Sequence, residues 1–251
     1  ANSVQQTADG GYIVAGWTNS FGSRGEDAYI LKLNSRGEIE WQKTFGREGS
    51  DDEANSIQQT TDGGYIVAGW TNSFDLERYD AYILKLNSRG EVEWQKTFGG
   101  EDSDIANSIQ QTTDGGYIVA GWTGFYHEED VYILKLNSKG EVQWQKKFGG
   151  EDSDDEANSV QQTADGGYIV AGWTNSFGSR GEDAYILKLN SKGDIEWQKT
   201  FGREGSDDEA NSIQQTIDGG YIVAGWTKSL IFGEKHVYIL KLDSKGEIEN
   251  K

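Results

Sequence analysis

Proline, cysteine and methionine are absent from all 251 residues, and histidine occurs only twice. Without cysteine there can be no disulfide, no thiolate metal ligand and no thiol nucleophile, although a well-packed repeat fold needs no crosslink in any compartment. His127 and His236 fall in variable segments of different repeats. They are expected as solvated loop residues, which leaves no basis for a Ser-His-Asp arrangement or a histidine metal centre. Positive charge is also scarce: 23 basic against 42 acidic side chains give a net charge of −19. A nucleic-acid backbone or an anionic membrane surface would be repelled at long range. The longest apolar strings are short pieces such as Tyr12-Ile13-Val14-Ala15, far below the roughly 20 residues of a membrane helix. The expected partner is therefore a protein or a glycan, with no nucleic acid, no membrane insertion and a monomeric chain.

What is abundant points to strands and turns. Glycine reaches 34 residues and aromatics 12%, a composition of short strands and tight connections. The string Asp-Gly-Gly-Tyr-Ile-Val-Ala-Gly-Trp-Thr begins at Asp9, Asp62, Asp114, Asp165 and Asp218, so the copies are 53, 52, 51 and 53 residues apart. Periods of this size mark repeat units that stack or close into a ring.

Each unit holds four runs of strand character, for example 54–60, 65–71, 81–87 and 91–98. In the fourth, Val92, Trp94, Lys96 and Phe98 alternate with Glu91, Glu93, Gln95 and Thr97, the pattern of a half-exposed outer strand. Asp62-Gly63-Gly64 separates the first two runs and Asn87-Ser88-Arg89-Gly90 the last two. Both connections carry residues that accept positive φ or cap tight turns, so each unit reads as a meander of hairpins. The period changes only where the connections after runs two and four change length: Phe98 to Ala106 is one residue shorter than Phe45 to Ala54. In a meander those connections emerge at one end, which makes that end the variable face.

A four-stranded sheet of this size has two apolar faces that it cannot bury alone. Radial packing of several sheets buries both. The expectation is an all-β, five-bladed β-propeller in a single domain over residues 1–251. Its repeats run approximately 1–53, 54–105, 106–156, 157–209 and 210–251, the last with a truncated outer strand. With the first strand innermost, the ring closes by packing. With it outermost, residues 1–7 complete the last blade as a clasp. The rim-like fourth strand favours the former.

The matching residues Asp62-Gly63 before Tyr65-Ile-Val-Ala-Gly, then Asp80-Ala81-Tyr-Ile-Leu-Lys-Leu-Asn87 with Gly90, Trp94 and Phe98-Gly99-Gly100 resemble the short β-propeller repeats of secreted and surface proteins of bacteria and archaea. The resemblance covers the whole chain. It implies the propeller fold and a secreted or surface location, and it brings no shared catalytic set. The copies here are unusually alike: residues 1–60 and 157–216 differ at a few conservative places such as Arg36 against Lys192.

Three sets of residues are candidates for function. The acidic loop residues Asp51, Asp52 and Glu53, with Asp154, Asp155 and Glu156 and with Asp207, Asp208 and Glu209, supply hard oxygens that suit Ca²⁺. No EF-hand spacing is present, and the plainer reading is solvated acids that cap turns. Tryptophans form one series in run two (Trp17, Trp70, Trp122, Trp173, Trp226) and another in run four (Trp41, Trp94, Trp144, Trp197). Either could stack on sugars, but filling the gaps between blades is the simpler expectation. The variable tips bear Phe21, Phe74, Tyr79, Phe125, Tyr126, Phe177 and Phe232, a possible ligand or partner face. Because repeated blades present the same carboxylate in the same setting, a single asymmetric active site is not expected. The reading from sequence is a non-enzymatic scaffold or interaction module with no cofactor beyond possible Ca²⁺. A multivalent lectin is the alternative and a glycosidase-like enzyme the least favoured.

Overall fold

A computed structural model describes the chain except residues 21–23, 74–77, 126–127, 152, 179–180, 230–232 and 250–251. Five antiparallel sheets follow one another along the sequence, each with its strands in chain order. Sheet 1 is β1 (Ser3–Gln6), β2 (Tyr12–Thr18), β3 (Asp27–Leu33) and β4 (Ile39–Phe45). Sheet 2 is β5 (Asp52–Gln59), β6 (Tyr65–Thr71), β7 (Asp80–Leu86) and β8 (Val92–Phe98). Sheet 3 comprises β9 (Ser103–Gln111), β10 (Tyr117–Gly124), β11 (Asp130–Leu136) and β12 (Val142–Phe148). Sheet 4 comprises β13 (Asp155–Gln162), β14 (Tyr168–Thr174), β15 (Asp183–Leu189) and β16 (Ile195–Phe201). Sheet 5 has three strands, β17 (Ser206–Gln215), β18 (Tyr221–Ser229) and β19 (Lys235–Leu242). Its fourth strand is reduced to a single bridge between Leu242 and Ile248. β1 pairs with β2, so residues 1–7 belong to the first sheet and the clasp arrangement does not occur. Among the described residues no helix is long and apolar enough to cross a membrane.

Tight hairpins set the registers. Thr60 donates its hydroxyl to Asp62 Oδ1, which also accepts the Gly64 N–H at 2.9 Å, while Gly63 sits at φ 82°. Gly64 is needed for a different reason: a Cβ there would stand 2.3 Å from the Leu86 carbonyl oxygen and 2.6 Å from Lys85 Nζ. Lys85 is buried in β7 and bridges Asp62 at 3.0 Å and Glu93 at 2.9 Å, tying one hairpin to the next. Lys32 and Lys188 do the same in their sheets.

By contacts the chain divides into two compact units, Ala1–Val119 with Leu136–Glu141 and Ala120–Lys135 with Val142–Lys251. In the first unit, one face of sheet 1 (Ile13, Ala15, Ala28, Ile30) packs on the opposite face of sheet 2 (Ile57, Tyr65, Val67, Leu84, Leu86). In the second, Ile169, Ala171, Ala184 and Ile186 of sheet 4 pack on Ile213, Tyr221, Val223, Leu240 and Leu242 of sheet 5. The two cores repeat one rule, with alternate residues of each strand facing alternate neighbours. Trp41 meets Tyr65 edge-on with ring centroids 5.8 Å apart, and Trp197 meets Tyr221 in the same way. The run-four tryptophans therefore fill gaps between sheets, as their pattern implied.

The outward faces of the terminal sheets break the rule. Val4 is 66% exposed, whereas Ile57 and Ile213 at the matching position are buried. On sheet 5, Val237 is 83% and Ile239 56% exposed, whereas Ala28 and Ile30 at the matching positions are buried.

Candidate functional site

A β-bulge organises the first strand of sheets 2, 4 and 5. Register shifts between Ala54 and Ser56, between Ala157 and Ser159, and between Ala210 and Ser212. The extra residue is an asparagine each time. In the first unit Asn55 Nδ2 donates to the Ala106 carbonyl at 3.2 Å, and Asn2 Nδ2 donates to Glu53 at 2.7 Å. The bulge also sets what precedes it: Glu53 lies opposite Trp70, Glu156 opposite Trp173 and Glu209 opposite Trp226. Each sheet with that glutamate therefore carries a carboxylate beside an indole at one end of its first two strands.

The second unit develops this pair furthest. Glu156 on β13 is pushed up to about 7, first by burial and then by the charges of Glu129 and Glu209. A hydrogen bond from the Trp173 side chain works in the opposite direction, and Asp154 adds a further negative charge. Glu209 has a different environment, since its Oε1 accepts amide hydrogen bonds from Asn158 and Asn211, each at 2.9 Å. Glu182 is raised by burial and by Asp207 and Glu209, against the lowering effect of Lys228 and Lys235. Lys235 Nζ lies 3.4 Å from the ring centroid of Trp226, a cation–π contact. A carboxyl of raised proton affinity thus stands within electrostatic reach of a second carboxylate held by neutral donors, with an indole beside each.

The nine acidic residues picked out as possible Ca²⁺ ligands are parted by strand alternation. Asp52, Asp155 and Asp208 turn inward and are buried. Asp52 accepts the Ser50 hydroxyl at 2.7 Å and Asp208 the Ser206 hydroxyl at 2.6 Å. Asp155 accepts from Ser176 and from the Gly150 N–H, while its Oδ1 is buried with no hydrogen-bond partner. Asp51, Asp154 and Asp207 instead cap the segment before the third strand, accepting the N–H groups of Glu26, Glu129 and Glu182. Glu53, Glu156 and Glu209 belong to the tryptophan pairs. Among the described residues no group of three or more histidine or acidic side chains is placed to hold a metal ion.

Of the tip residues, Phe21, Phe74, Tyr126 and Phe232 lie outside the described residues. Tyr79 packs edge-on to Trp70 at 4.6 Å, Phe177 packs on Tyr185, and Phe125 is exposed. The run-two tryptophans correct an expectation: Trp17 is exposed, and Trp70, Trp173 and Trp226 engage Tyr79, Glu156 and Lys235 instead of only filling the gap between sheets. The glutamate–tryptophan pair escaped attention in the sequence, although a clue was there. Glu53 and Trp70 lie at almost equal distances from the turn at Asp62-Gly63, and a hairpin places such residues opposite one another.

No family model matches the chain, and no curated protein matches it. Solved structures do. An exo-β-1,3-galactanase from Phanerochaete chrysosporium superposes with a TM-score of 0.54 at 12% identity, covering 98% of this chain and 61% of that one. The chain therefore spans about three fifths of that enzyme's length. An endo-arabinase from Bacteroides thetaiotaomicron gives 0.53 at 9% identity, covering 98% and 94%, and a GH43_1 enzyme from Xanthomonas citri gives 0.50 at 12%, covering 99% and 89%. These likenesses establish a β-propeller fold with repeated blades. They count against the reading as a non-enzymatic module, since the three neighbours named are enzymes, while at 9–12% identity the likeness itself shows the fold alone. The symmetry argument behind that reading fails in this chain for a physical reason. Glu156 and Glu209 occupy equivalent positions in different settings, one half-buried among carboxylates and an indole, the other held by two amides.

Proposed function

We propose that the chain is a glycosidase-like enzyme, with its five sheets as successive propeller blades, and that it cleaves a glycosidic bond with Glu156 as proton donor and Glu209 as the partner carboxylate. One observation carries this reading: burial and neighbouring carboxylates push Glu156 up to about 7, so it holds a proton near neutrality, where an ordinary glutamic acid has lost it. In the proposed step the Glu156 proton goes to the departing sugar oxygen as its bond to the anomeric carbon breaks. Glu209 takes a proton from the water that adds to that carbon. Trp173 aligns the Glu156 carboxyl through its hydrogen bond, and the exposed parts of the indoles offer apolar planes to sugar rings. The names of the structural neighbours make galactans and arabinans the first substrates to test.

The test is hydrolysis of a panel of β-1,3-galactan, arabinan and aryl glycosides between pH 4 and 9. Turnover is expected to fall as pH rises through about 7, and Glu156→Gln should lower kcat by roughly 100-fold or more with KM little changed. Absence of hydrolysis across the panel, or activity indifferent to Glu156→Gln, would overturn the assignment.

A further inference from the structure

We propose that the cavity between sheets 1 and 2, at the Asp-Gly-Gly end of their strands, is a sugar-binding site that shares no residue with the Glu156 site. The cavity measures about 440 Å³, and its lining includes Asp9, Lys32, Glu40, Trp41, Gln59 and Arg89. That size is within the range of small-molecule sites. All six residues belong to the first compact unit. Within sheet 2 the cavity lies at the far end of β5 from Glu53, since β5 opens on Asp52 and Glu53 and ends on Gln59.

Part of the lining is committed to the fold. Lys32 Nζ donates to Asp9, to Glu40 Oε2 and to the Leu33 carbonyl, each at 2.9 Å, so all three of its protons are used. Other groups keep capacity for a ligand. Gln59 Oε1 accepts the Ala8 N–H at 2.8 Å, which leaves both Nε2 protons to donate elsewhere. Arg36, at the same place in sheet 1, pairs with Glu38 at 3.6 Å, whereas among the described residues the Arg89 guanidinium has no ion pair. Trp41 supplies an apolar wall, held edge-on to Tyr65 with ring centroids 5.8 Å apart.

Charge and hydrogen bonding select the ligand class. In the lining, Asp9 and Glu40 are balanced by Lys32 and Arg89, although the chain as a whole carries −19. An ionic ligand therefore gains no net attraction there. A hydroxyl both donates and accepts. A ligand with hydroxyls on adjacent carbons can accept from Arg89 and Gln59, donate to the carboxylates and set its C–H surface against the indole. That is a neutral sugar ring. Arg89 distinguishes this cavity, because sheets 3, 4 and 5 have Lys139, Lys192 and Lys245 at its position. A lysine is a point charge without the planar fork that spans neighbouring hydroxyls. The choice of which sugars to try rests on the glycosidase reading; the argument for the site does not.

The test is a titration of the full chain carrying Glu156→Gln, followed by ¹H–¹⁵N spectra. The probes are β-1,3-galacto-oligosaccharides and arabino-oligosaccharides up to about 10 mM, the range of weak binding. The Trp41 indole and Arg89 Nε–H signals, assigned by their loss in Trp41→Phe and Arg89→Lys, should shift saturably with one of the sugars. Arg89→Ala, at an exposed turn position, should weaken binding about tenfold or more. Glu40→Gln should weaken it as well in a chain that folds, since sheet 3 has Gln143 at that position. Trp41 and Arg89 signals unmoved by both sugars, or an affinity unchanged in Arg89→Ala, overturn the proposal. Hydrolysis by the wild-type chain with unmoved signals removes this site and leaves the Glu156 assignment standing. Shifts at Trp41 without any hydrolysis do the reverse.

Discussion

Replacing Glu156 by glutamine removes a charge while keeping the shape and an acceptor for the Trp173 side chain. The wild-type carboxyl is pushed from the ordinary 4.5 up to about 7, by burial first and then by Glu129 and Glu209. At about 1.4 kcal/mol per pH unit, ionising it in the folded protein costs up to about 3 kcal/mol more than in the unfolded chain. Partial solvent access reduces this, so about 1 to 3 kcal/mol is expected. The direction follows from linkage. Below pH 4.5 the group is neutral in both states and there is no penalty. As pH rises toward 7 the unfolded chain releases its proton first and the native state loses relative stability, and above 7 the full penalty applies. Urea unfolding at pH 4.5 and pH 8 should therefore find the Glu156→Gln variant level with wild type at the lower pH and more stable by about 1 to 3 kcal/mol at the higher. Glu48→Gln, at an exposed turn position, serves as control and should change neither. An equal difference between Glu156→Gln and wild type at both pH values would refute the burial and charge argument.

Other perturbations probe the scaffold. Leu84→Ala empties a buried position between sheets 1 and 2 and should cost about 2 to 5 kcal/mol by denaturant titration. Gly90 sits at φ 71°, and a Cβ there would stand 2.9 Å from the Trp41 ring. Gly90→Ala should destabilise by about 2 kcal/mol or more and perturb tryptophan fluorescence. Burial opposes ionisation of Asp62, yet the Thr60 hydroxyl, the Gly64 N–H and Lys85 bring it down to about 2. Its contribution is present above about pH 4 and lost as pH falls toward 2. Asp62→Asn should flatten that part of the acid-unfolding curve, by about 1 kcal/mol or less because the side chain is more than half exposed.

Much of the architecture was legible because local chemistry and repetition agree. Asp62-Gly63-Gly64 and Asn87 to Gly90 announce hairpins through positive φ and side-chain capping, and five copies announce five sheets. The alternation of Trp94 with Glu93 and Gln95 marked an outer strand, which β8 is. The buried lysines were less visible. Lys85 reads as a solvent-facing residue in an apolar strand until Asp62 from a turn and Glu93 from β8 arrive to neutralise it.

The candidate site was legible only in part. Identical repeats suggested identical environments, and sequence distance gave no means of weighing Glu129 against Asn158 as neighbours of the two equivalent glutamates. Strand order, turn chemistry and the two alternating faces follow from the sequence alone, because hydrogen-bonded hairpins and period-two patterning are local properties. The raised proton affinity of Glu156, the inward turn of Asp155 and the exposure of Val4 and Val237 were decided by tertiary structure. Burial and charge depend on what a neighbouring sheet brings, or fails to bring, against each face.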